Sequence, residues 1–301
     1  MEPNPILKKL GFSSDDRLAI IHADDVGMCQ ASLAAFTELQ DYGLVTCGAV
    51  MTPCSWFPEV ARYARYHPKA DLGVHLTLTS EWETYRWGPV FSRDPATGLL
   101  DSDGYFFRRS QDVQEHADPQ AVAAEIEAQV QRAKTAGISI SHVDTHMGAV
   151  AHPKFMQSYL QIALAHRVAL LMFRMDEAQW QQFSASHIAS LDDDSIQYLI
   201  RMTQTLEAMN IPLLDHLTGL PLNSDPALRL EHAKSAFRQL PAGVTHFIIH
   251  PSKDSAELRA ITPDWACRVA DYQTFQSDEL HRYLQEIGVH RIGYRQLQQL
   301  M

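Results

Sequence analysis

Short apolar runs alternate with longer helical patterns along most of the chain, and this alternation constrains the fold more than any other feature. Each run has the length of a strand, and most are followed by a segment with apolar residues at helical spacing. The apolar runs are residues 18–23, 45–51, 72–78, 138–143, 168–173, 211–214 (a weak one), 244–249 and 291–294. The helical patterns are residues 30–42, 57–66, 119–137, 154–166, 195–209, 226–240 and 277–287. Such alternation predicts a parallel sheet with helices packed outside it.

The length of 301 residues favours a (β/α) barrel over an open doubly wound sheet. Barrels of about 250 residues form one domain, whereas an open sheet usually begins with a glycine-rich turn that binds phosphate. Here the first predicted strand is followed by Asp24, Asp25, Val26 and Gly27, which make a poor phosphate site. We therefore expect one α/β barrel domain over residues 1–301. Residues 80–118, a long polar and aromatic segment, are expected to form an insertion or lid.

The composition and charge exclude several classes of protein. The formal net charge of −11 disfavours binding to the phosphates of nucleic acid. The sequence holds no apolar run long enough to span a membrane. Its first residues do not resemble a signal peptide, so a cytoplasmic protein is expected. The four cysteines form no CxxC pair, which disfavours both a disulfide framework and a thiolate zinc site. A homodimer is expected only because two-fold pairs are the commonest oligomers.

Acidic residues and histidines collect at the C-terminal ends of four predicted strands, where barrels of this kind carry their active sites. They are His22, Asp24 and Asp25 in the first strand, His75 in the third, His142, Asp144 and His146 in the fourth, and His246 and His250 in the run at 244–249. Spacings of two or four residues place His142, Asp144 and His146 on one face of their strand, and His246 and His250 on one face of theirs. Together they can supply two imidazoles and one carboxylate, a ligand set of catalytic metals.

Each of these residues also has a structural interpretation. A single histidine such as His75 is often only hydrogen-bonded within the core, and Asp24 or Asp25 could cap the helix that follows. Trp82 and Trp87 could pack within their own segment. The occurrence of acids and histidines at several strand ends together favours a metal site over separate structural roles.

The same motifs resemble, in order and over nearly the whole chain, those of the YdjC-like carbohydrate deacetylases (the ChbG/HpnK group). IHADDVGM at 21–28 is similar to the NADDFG signature of that family, and GVHLTLT at 73–79 to its GxHxxLT strand. SHVDTHMGAVAHP at 141–153 resembles the HxDSHxHVHxxP motif. The segments at 43–64, 174–176, 215–219, 247–252 and 293–297 complete the match.

The resemblance implies an irregular, TIM-like barrel related to the polysaccharide deacetylase fold. It implies metal-dependent removal of an N-acetyl group from an amino sugar or oligosaccharide, with a metal-bound water as the nucleophile. By motif, the metal ligands would be Asp25, His75 and His146, the general base Asp24 and the general acid His250. The ion would be a single divalent metal, zinc first, with magnesium, manganese or cobalt also suited to the ligands.

Further roles are expected around this centre. Ligating histidines usually donate their second N–H to an acceptor, a role that His142 and Asp144 could support. Arg174 would hold Asp24 or the substrate. Substrate contacts are expected from Trp82, Tyr85, Trp87, His152 and Asp215. The segment after His146 departs from the family pattern, which has more histidines there. In this chain only His152 could stand in for one of them.

Two alternatives remain open from the sequence. One is a metal-dependent amidase or esterase that acts on a non-sugar acyl substrate. The other is a catalytically silent sugar-binding protein, which the altered segment after His146 would suit. The presence of Asp24 beside the implied ligands argues for an enzyme, because a protein that only binds sugar has no need of a base there.

Overall fold

A computed structural model describes residues 2–187 and 191–301 of the chain. Over these ranges eight strands and thirteen α-helices alternate. The strands are β1 (Arg17–Val26), β2 (Cys47–Val50), β3 (Leu72–Leu76), β4 (Ile140–Thr145), β5 (Ala169–Leu170), β6 (His216–Gly219), β7 (Gly243–Ile249) and β8 (Val289–Arg291). The helices are α1 (Pro5–Lys9), α2 (Gln30–Tyr42), α3 (Phe57–Tyr66), α4 (Ser110–His116), α5 (Pro119–Thr135), α6 (Pro153–His166), α7 (Glu177–His187), α8 (Asp193–Ala208), α9 (Arg229–Arg238), α10 (Ala256–Ile261), α11 (Trp265–Phe275), α12 (Asp278–Glu286) and α13 (Tyr294–Gln298).

The strands form one parallel sheet in the order β5-β4-β3-β2-β1-β7-β6. β7 pairs with one edge of β1 along Arg17–Ala23, and two strands share the opposite edge. β8 pairs there with the first residues of β1, and β2 pairs from His22 onward. The parallel sheet predicted from the alternation of runs is therefore confirmed.

The sheet curls into a barrel that stays open between β5 and β6. Across this seam, within the described residues, the backbone is paired by a parallel bridge between Phe173 and Leu214. The fold is thus the irregular, TIM-like barrel that the sequence predicts. The seam matters for function, because it leaves one wall of the interior to side chains rather than to a paired strand.

Three predicted strands are placed differently in the structure. The weak run at 211–214 is not a strand, because Pro212 has no N–H to give to a ladder, and β6 begins only at His216. The run at 168–173 forms strand only at Ala169–Leu170. The final strand is Val289–Arg291 rather than 291–294, since Tyr294 begins α13.

The helices follow from local signals that the sequence carries. At the start of α5 the Asp118 carboxylate accepts hydrogen bonds from the backbone N–H groups of Gln120 and Ala121, and Pro119 occupies the first turn. The apolar face of α5 is buried against the sheet through Val122, Ile126, Val130 and Ala133. Across the described ranges, no helix combines the length and apolar composition that crossing a bilayer requires.

Candidate active site

A bulge near the end of β1 brings two consecutive carboxylates into one cavity. Side chains alternate along a regular strand, so neighbours would face opposite sides of the sheet. Here the register with β2 shifts between Ala23 and Val26, and Asp25 adopts a left-handed conformation with φ of 60°. Asp24 and Asp25 consequently both line the cavity inside the barrel. Such a backbone conformation costs about 1–3 kcal/mol and is typical of functional sites.

Asp25, His75 and His146 converge on one point at the C-terminal edge of the sheet. Asp25 Oδ1 lies 3.2 Å from His146 Nδ1 and 3.5 Å from His75 Nε2. One ligand atom from each of the three buried residues lies within 4.8 Å of the others. Asp25 Oδ1 is nevertheless buried and accepts no hydrogen bond from the part of the chain that the structure describes. A buried oxygen without a donor, beside two imidazole nitrogens, fits a divalent cation.

The second nitrogen of each imidazole is held by a carboxylate. His75 Nδ1 donates to Asp144 Oδ1 at 2.8 Å, and His146 Nε2 donates to Glu81 Oε2 at 3.0 Å. Carboxylates in these positions fix the ring orientation and make a ligating nitrogen more basic. The sequence suggested Asp144 for this role but not Glu81, which stands in the long segment 80–118 with no motif around it.

The electrostatics of the three residues suit a cation. Burial alone would lower the pKa of His75 and raise that of Asp25. The carboxylates of Asp144 and Asp24 outweigh burial and hold the pKa of His75 well above its ordinary value. Burial would also lower the pKa of His146, but the carboxylates of Glu81 and Asp25 outweigh it and raise this pKa to about 9. The Arg268 guanidinium keeps the pKa of Asp25 well below its usual range, so this carboxyl group is ionised.

Asp24 is positioned as an ionised carboxylate beside this cluster. Its Oδ1 accepts a hydrogen bond from His22 Nδ1 at 2.6 Å, and its Oδ2 lies 3.8 Å from both His75 Nε2 and His250 Nε2. Burial raises the pKa of Asp24, but the charge of His75 and the hydrogen bond from His22 lower it more, to below the ordinary value. A carboxylate in this state can accept a proton.

His22 is itself held by a line of buried polar groups. Its Nε2 lies 2.8 Å from His142 Nε2, and His142 Nδ1 lies 2.8 Å from the hydroxyl of Ser141. Burial and the neighbouring histidines hold the pKa of His142 well below its ordinary value, so this ring is neutral. His142 therefore contacts the histidine behind Asp24, not the three converging residues.

A second group of residues could also hold a metal by distance alone: His22, Asp24, Asp144 and His246. Hydrogen bonds already engage both ring nitrogens of His22, and His246 Nδ1 lies 2.8 Å from the Tyr294 hydroxyl. The cluster of Asp25, His75 and His146 leaves the ligand atoms of Asp25 and His75 without hydrogen bonds. It is therefore the better candidate.

Arg268 is, after Glu81, a second residue of this site that the sequence did not indicate. It is 3% exposed, and its Nη1 donates to Asp25 Oδ2 at 2.7 Å while its Nε donates to Asp264 Oδ1 at 2.7 Å. Its guanidinium also lies 5.6 Å from the ring centre of Trp82. It stands on helix α11, not at a strand end. The signal that could have found it is an arginine among apolar helix residues, four positions after an aspartate.

We expect Arg268→Gln to lower kcat/KM by about 10- to 100-fold, the usual cost of removing a group that holds a metal ligand. Without the guanidinium, Asp25 loses its fixed orientation and its charge partner. A fall in metal affinity, measured by calorimetry, should accompany the loss of activity. Arg174→Gln is the matched control, because Arg174 is also an ion-paired, mostly buried arginine but does not line the cavity. Equal effects of the two changes would contradict a specific role for Arg268.

Arg174 and Asp215 do not reach the site, contrary to the roles expected for them. Arg174 pairs with Glu207 at 2.8 Å and with Asp215 at 3.3 Å. Asp215 accepts hydrogen bonds from the backbone N–H of Val244 and the side chain of Asn4, at the N-terminal ends of β6 and β7. The expectation for these two residues is therefore corrected: they join the amino-terminal segment to the end of the barrel opposite Asp25, His75 and His146.

The aromatic residues of the segment 80–118 divide between two positions. Trp82 lines the cavity and is 8% exposed. Trp87 donates its indole N–H to Thr79 O at 2.8 Å and packs 6.2 Å from the His146 ring, whereas the Tyr85 hydroxyl donates to Met28 O. Neither Tyr85 nor Trp87 lines the cavity. They support Trp82 and His146 instead of forming the substrate surface expected of them.

His152 and His250 have distinct surroundings. His152 caps the start of α6, where its side chain accepts from Lys154 N, and it is not part of the cavity wall. It is not placed for the expected substrate contact. His250 does line the cavity, and its Nδ1 has no hydrogen-bond partner among the described residues. Burial lowers the pKa of His250, so the ring is neutral near neutral pH.

Comparison with known proteins places this site in a family context. The sequence profile of the YdjC-like proteins matches residues 18–286. A carbohydrate deacetylase from Thermus thermophilus is 30% identical over 296 residues, which are 98% of this chain and 99% of that protein. A carbohydrate deacetylase from Brevibacillus brevis is 29% identical over 208 residues, covering 66% of this chain and 79% of its own length.

The fold also has a solved counterpart. A crystal structure of a protein from Enterococcus faecalis, suggested to cleave cellobiose phosphate, superimposes with a TM-score of 0.72 at 21% sequence identity. The match covers 94% of this chain and 99% of the other. At this identity the likeness shows a common fold and nothing about substrate.

Proposed function

Because this chain belongs to the YdjC-like protein family, we propose that it is a carbohydrate deacetylase that hydrolyses the N-acetyl group of an amino sugar with the aid of one divalent metal ion. The observation that carries the proposal is Asp25 Oδ1, which lies between the nitrogens of His75 and His146 and accepts no hydrogen bond from the described residues, with ionised Asp24 beside it. The names of the relatives from Thermus thermophilus and Brevibacillus brevis support the substrate class.

Asp25, His75 and His146 would hold the metal, and their donor set suits zinc first and magnesium less well. When bound, such an ion lowers the pKa of a water molecule and polarises the acyl carbonyl. Asp144 and Glu81 keep the two imidazoles oriented.

The proton transfers fall to Asp24 and His250. Asp24, ionised and oriented by His22, takes the proton from the attacking water at its Oδ2. His250 is neutral before reaction, so it must first receive a proton in order to deliver one to the departing amine. Its Nε2 lies 3.8 Å from Asp24 Oδ2, close enough for that transfer after a small movement or through one water. The amide C–N bond breaks, and acetate and a free amine result.

The remaining groups bind and shield the substrate. Trp82 presents an aromatic surface to the cavity, of the kind that packs against an apolar sugar face, and the Arg268 guanidinium lies over that ring. Burial of the site excludes water, which strengthens the interactions of charged groups inside it.

A metal-dependent amidase or esterase acting on a non-sugar acyl group is the second candidate. The observation in its favour is the largely apolar wall of the cavity beyond Asp25, His75 and His146.

The experiment that tests the proposal measures acetate release from a panel of N-acetylated amino sugars, N-acetylated amino acids and acetyl esters. The protein is stripped of metal with a chelator and then restored with zinc or magnesium. We expect metal-dependent acetate from at least one amino sugar at a higher kcat/KM than from the other substrates. Acetate from the esters or amino acids alone would favour the second candidate, and none at all with metal bound would contradict both.

Metal binding should also release protons, because His75 and His146 carry raised pKa values in the metal-free protein and must be neutral to ligate. We expect close to two protons per ion at neutral pH, and fewer as the pH rises through the His146 value of about 9. Affinity should correspondingly fall as the pH is lowered. Calorimetry in buffers of different ionisation enthalpy measures the number released. Zero proton release at neutral pH would contradict the raised pKa values of His75 and His146 in the metal-free protein.

A further inference from the structure

The cavity that contains the proposed metal ligands Asp25, His75 and His146 continues well beyond them. Its volume is about 420 Å³, and the charged residues of the site form only part of its wall. The rest of the wall is mainly apolar and includes Leu171, Phe173, Trp180, Leu199, Leu217 and Ile248. An acetyl group has a single methyl carbon to bury, so the apolar part is larger than removal of acetate requires.

This apolar part is built by the open seam of the barrel. The bridge between Phe173 and Leu214 joins the two sides of the seam at one point. Leu171 follows β5 on one side of the seam, Leu217 belongs to β6 on the other, and Trp180 comes from α7 behind them. Leu171 and Leu217 stay half-exposed although they lie inside the barrel, because they face the cavity. Several elements thus contribute to one continuous apolar surface.

The apolar part offers few partners to a sugar hydroxyl, and the indole N–H of Trp180 is one of them. The hydroxyl of Tyr159 donates to Val143 O at 2.9 Å and accepts from Leu171 N at 3.0 Å. Trp180 is 3% exposed, and its indole N–H has no partner among the described residues. A sugar ring placed there would leave several hydroxyl groups without hydrogen bonds, at a cost that apolar contact does not offset. A hydrocarbon chain has no such cost.

We propose that this apolar part of the cavity binds a hydrocarbon chain of the substrate, so that the favoured substrate is an amino sugar bearing a chain of several carbons near the scissile amide. The inference rests on the proposed function for its reaction, which is unchanged: water adds to the acyl carbon and the C–N bond breaks. The carboxylate and the amine are released without oxidation or reduction. The hydrocarbon chain of the substrate is either the acyl group itself, longer than acetyl, or an apolar group at the anomeric carbon.

Two substrate series distinguish these sources. The first is glucosamine N-acylated with acetyl, butanoyl, hexanoyl and octanoyl groups, with free glucosamine as the measured product. The second compares N-acetylglucosamine with its butyl and octyl glycosides, with acetate as the product. We expect kcat/KM to rise in one series by up to about fourfold per buried methylene, until the cavity is filled. Flat or falling values in both series, with the acetyl compounds still hydrolysed, would overturn the inference and leave the deacetylase proposal intact.

Binding to the metal-free protein separates the inference from catalysis. Octyl β-glucosaminide is the probe, compared with glucosamine by calorimetry. We expect saturable binding of the octyl compound at least about tenfold tighter, since several methylenes leave water. Equal affinities for the two compounds, together with flat chain-length series, would overturn the inference. If no glucosamide were hydrolysed at all, the proposed function would fail, and calorimetry with both octyl β-glucosaminide and N-octanoylglucosamine would still decide the inference.

Substitutions that fill the apolar part of the cavity test whether the hydrocarbon chain of the substrate binds there. Leu217→Trp and, as a second variant, Leu222→Trp narrow the apolar part, since both leucines line it. We expect each to lower the ratio of kcat/KM for the preferred long-chain compound to that for the acetyl compound by at least about tenfold. Leu228→Trp is the control with the same change at a residue 49% exposed and outside the cavity wall. If both variants fold and the ratio is unchanged in each, the hydrocarbon chain does not bind in this part of the cavity and the inference is overturned.

Discussion

Replacing Asp24 with Asn should lower kcat by at least about 100-fold, the contribution usual for a positioned general base. The amide keeps the size of the carboxylate and can still accept the hydrogen bond from His22. It cannot take a proton from water. Because Asp25, His75 and His146 are untouched, metal content should stay at that of the unmodified protein. Activity and metal content, measured on the same preparation, check both parts.

Asp103→Asn provides a matched control for this change, because Asp103 is an exposed loop residue far from the cavity wall. It should leave kcat and metal content as they are. An Asp24→Asn protein that kept more than a tenth of the kcat would contradict the assignment of Asp24 as the base. Loss of metal together with activity would instead make Asp24 a ligand.

Replacing His75 with Ala should remove both metal and activity. One of three ligands is lost, and Asp144 is left as a buried carboxylate without its imidazole partner. We expect metal affinity to fall by more than about 100-fold, since even loss of a group behind a ligand costs about 10- to 100-fold. Metal content after dialysis, measured by elemental analysis, and acetate release test this directly.

His152→Ala is the control for this second change. His152 lies at the start of α6 outside the cavity wall, so its loss should affect stability slightly and metal content not at all. Retention of a full equivalent of metal by His75→Ala would contradict the ligand assignment. Loss of metal by both variants would indicate a general effect on folding, which thermal unfolding of each variant would detect.

The positions of the strand-end residues could be predicted because their order follows from local patterns. Apolar runs bounded by polar residues locate the C-terminal ends of β1, β3, β4 and β7 to within about three residues. The C-terminal ends of parallel strands meet at one edge, so His75 and His146 were expected near Asp25. What the sequence did not show is the left-handed conformation of Asp25, which aims both neighbouring carboxylates into one cavity.

Residues that join the site from elsewhere escaped prediction for a physical reason. Glu81 and Arg268 lie on a long irregular segment and on a helix, and each reaches the site only through tertiary packing. Neither has a spacing that links it to the histidines. The same limit explains Arg174 and Asp215: their motifs suggested the site, but the ion pairs they make lie at the opposite end of the barrel.

The apolar part of the cavity was likewise beyond the sequence. Its walls come from both sides of a seam at which β5 and β6 do not pair. The sequence predicts strands at 168–173 and 211–214 on the two sides of this seam, whereas the structure has strands at Ala169–Leu170 and His216–Gly219. Apolar residues such as Leu199 and Leu217 have nothing in their local pattern to distinguish a cavity wall from a filled core.

The most direct test of the account is a titration of the metal-free protein with zinc, in which acetate release from the best N-acetyl amino sugar is followed at each addition. We predict activity that is absent without metal, rises in proportion to added zinc and stops rising at one equivalent. That result corresponds to a single centre at Asp25, His75 and His146. Full activity without metal would contradict it. So would a rise that continued to two equivalents, which would bring the second group, His22, Asp24, Asp144 and His246, into the reaction.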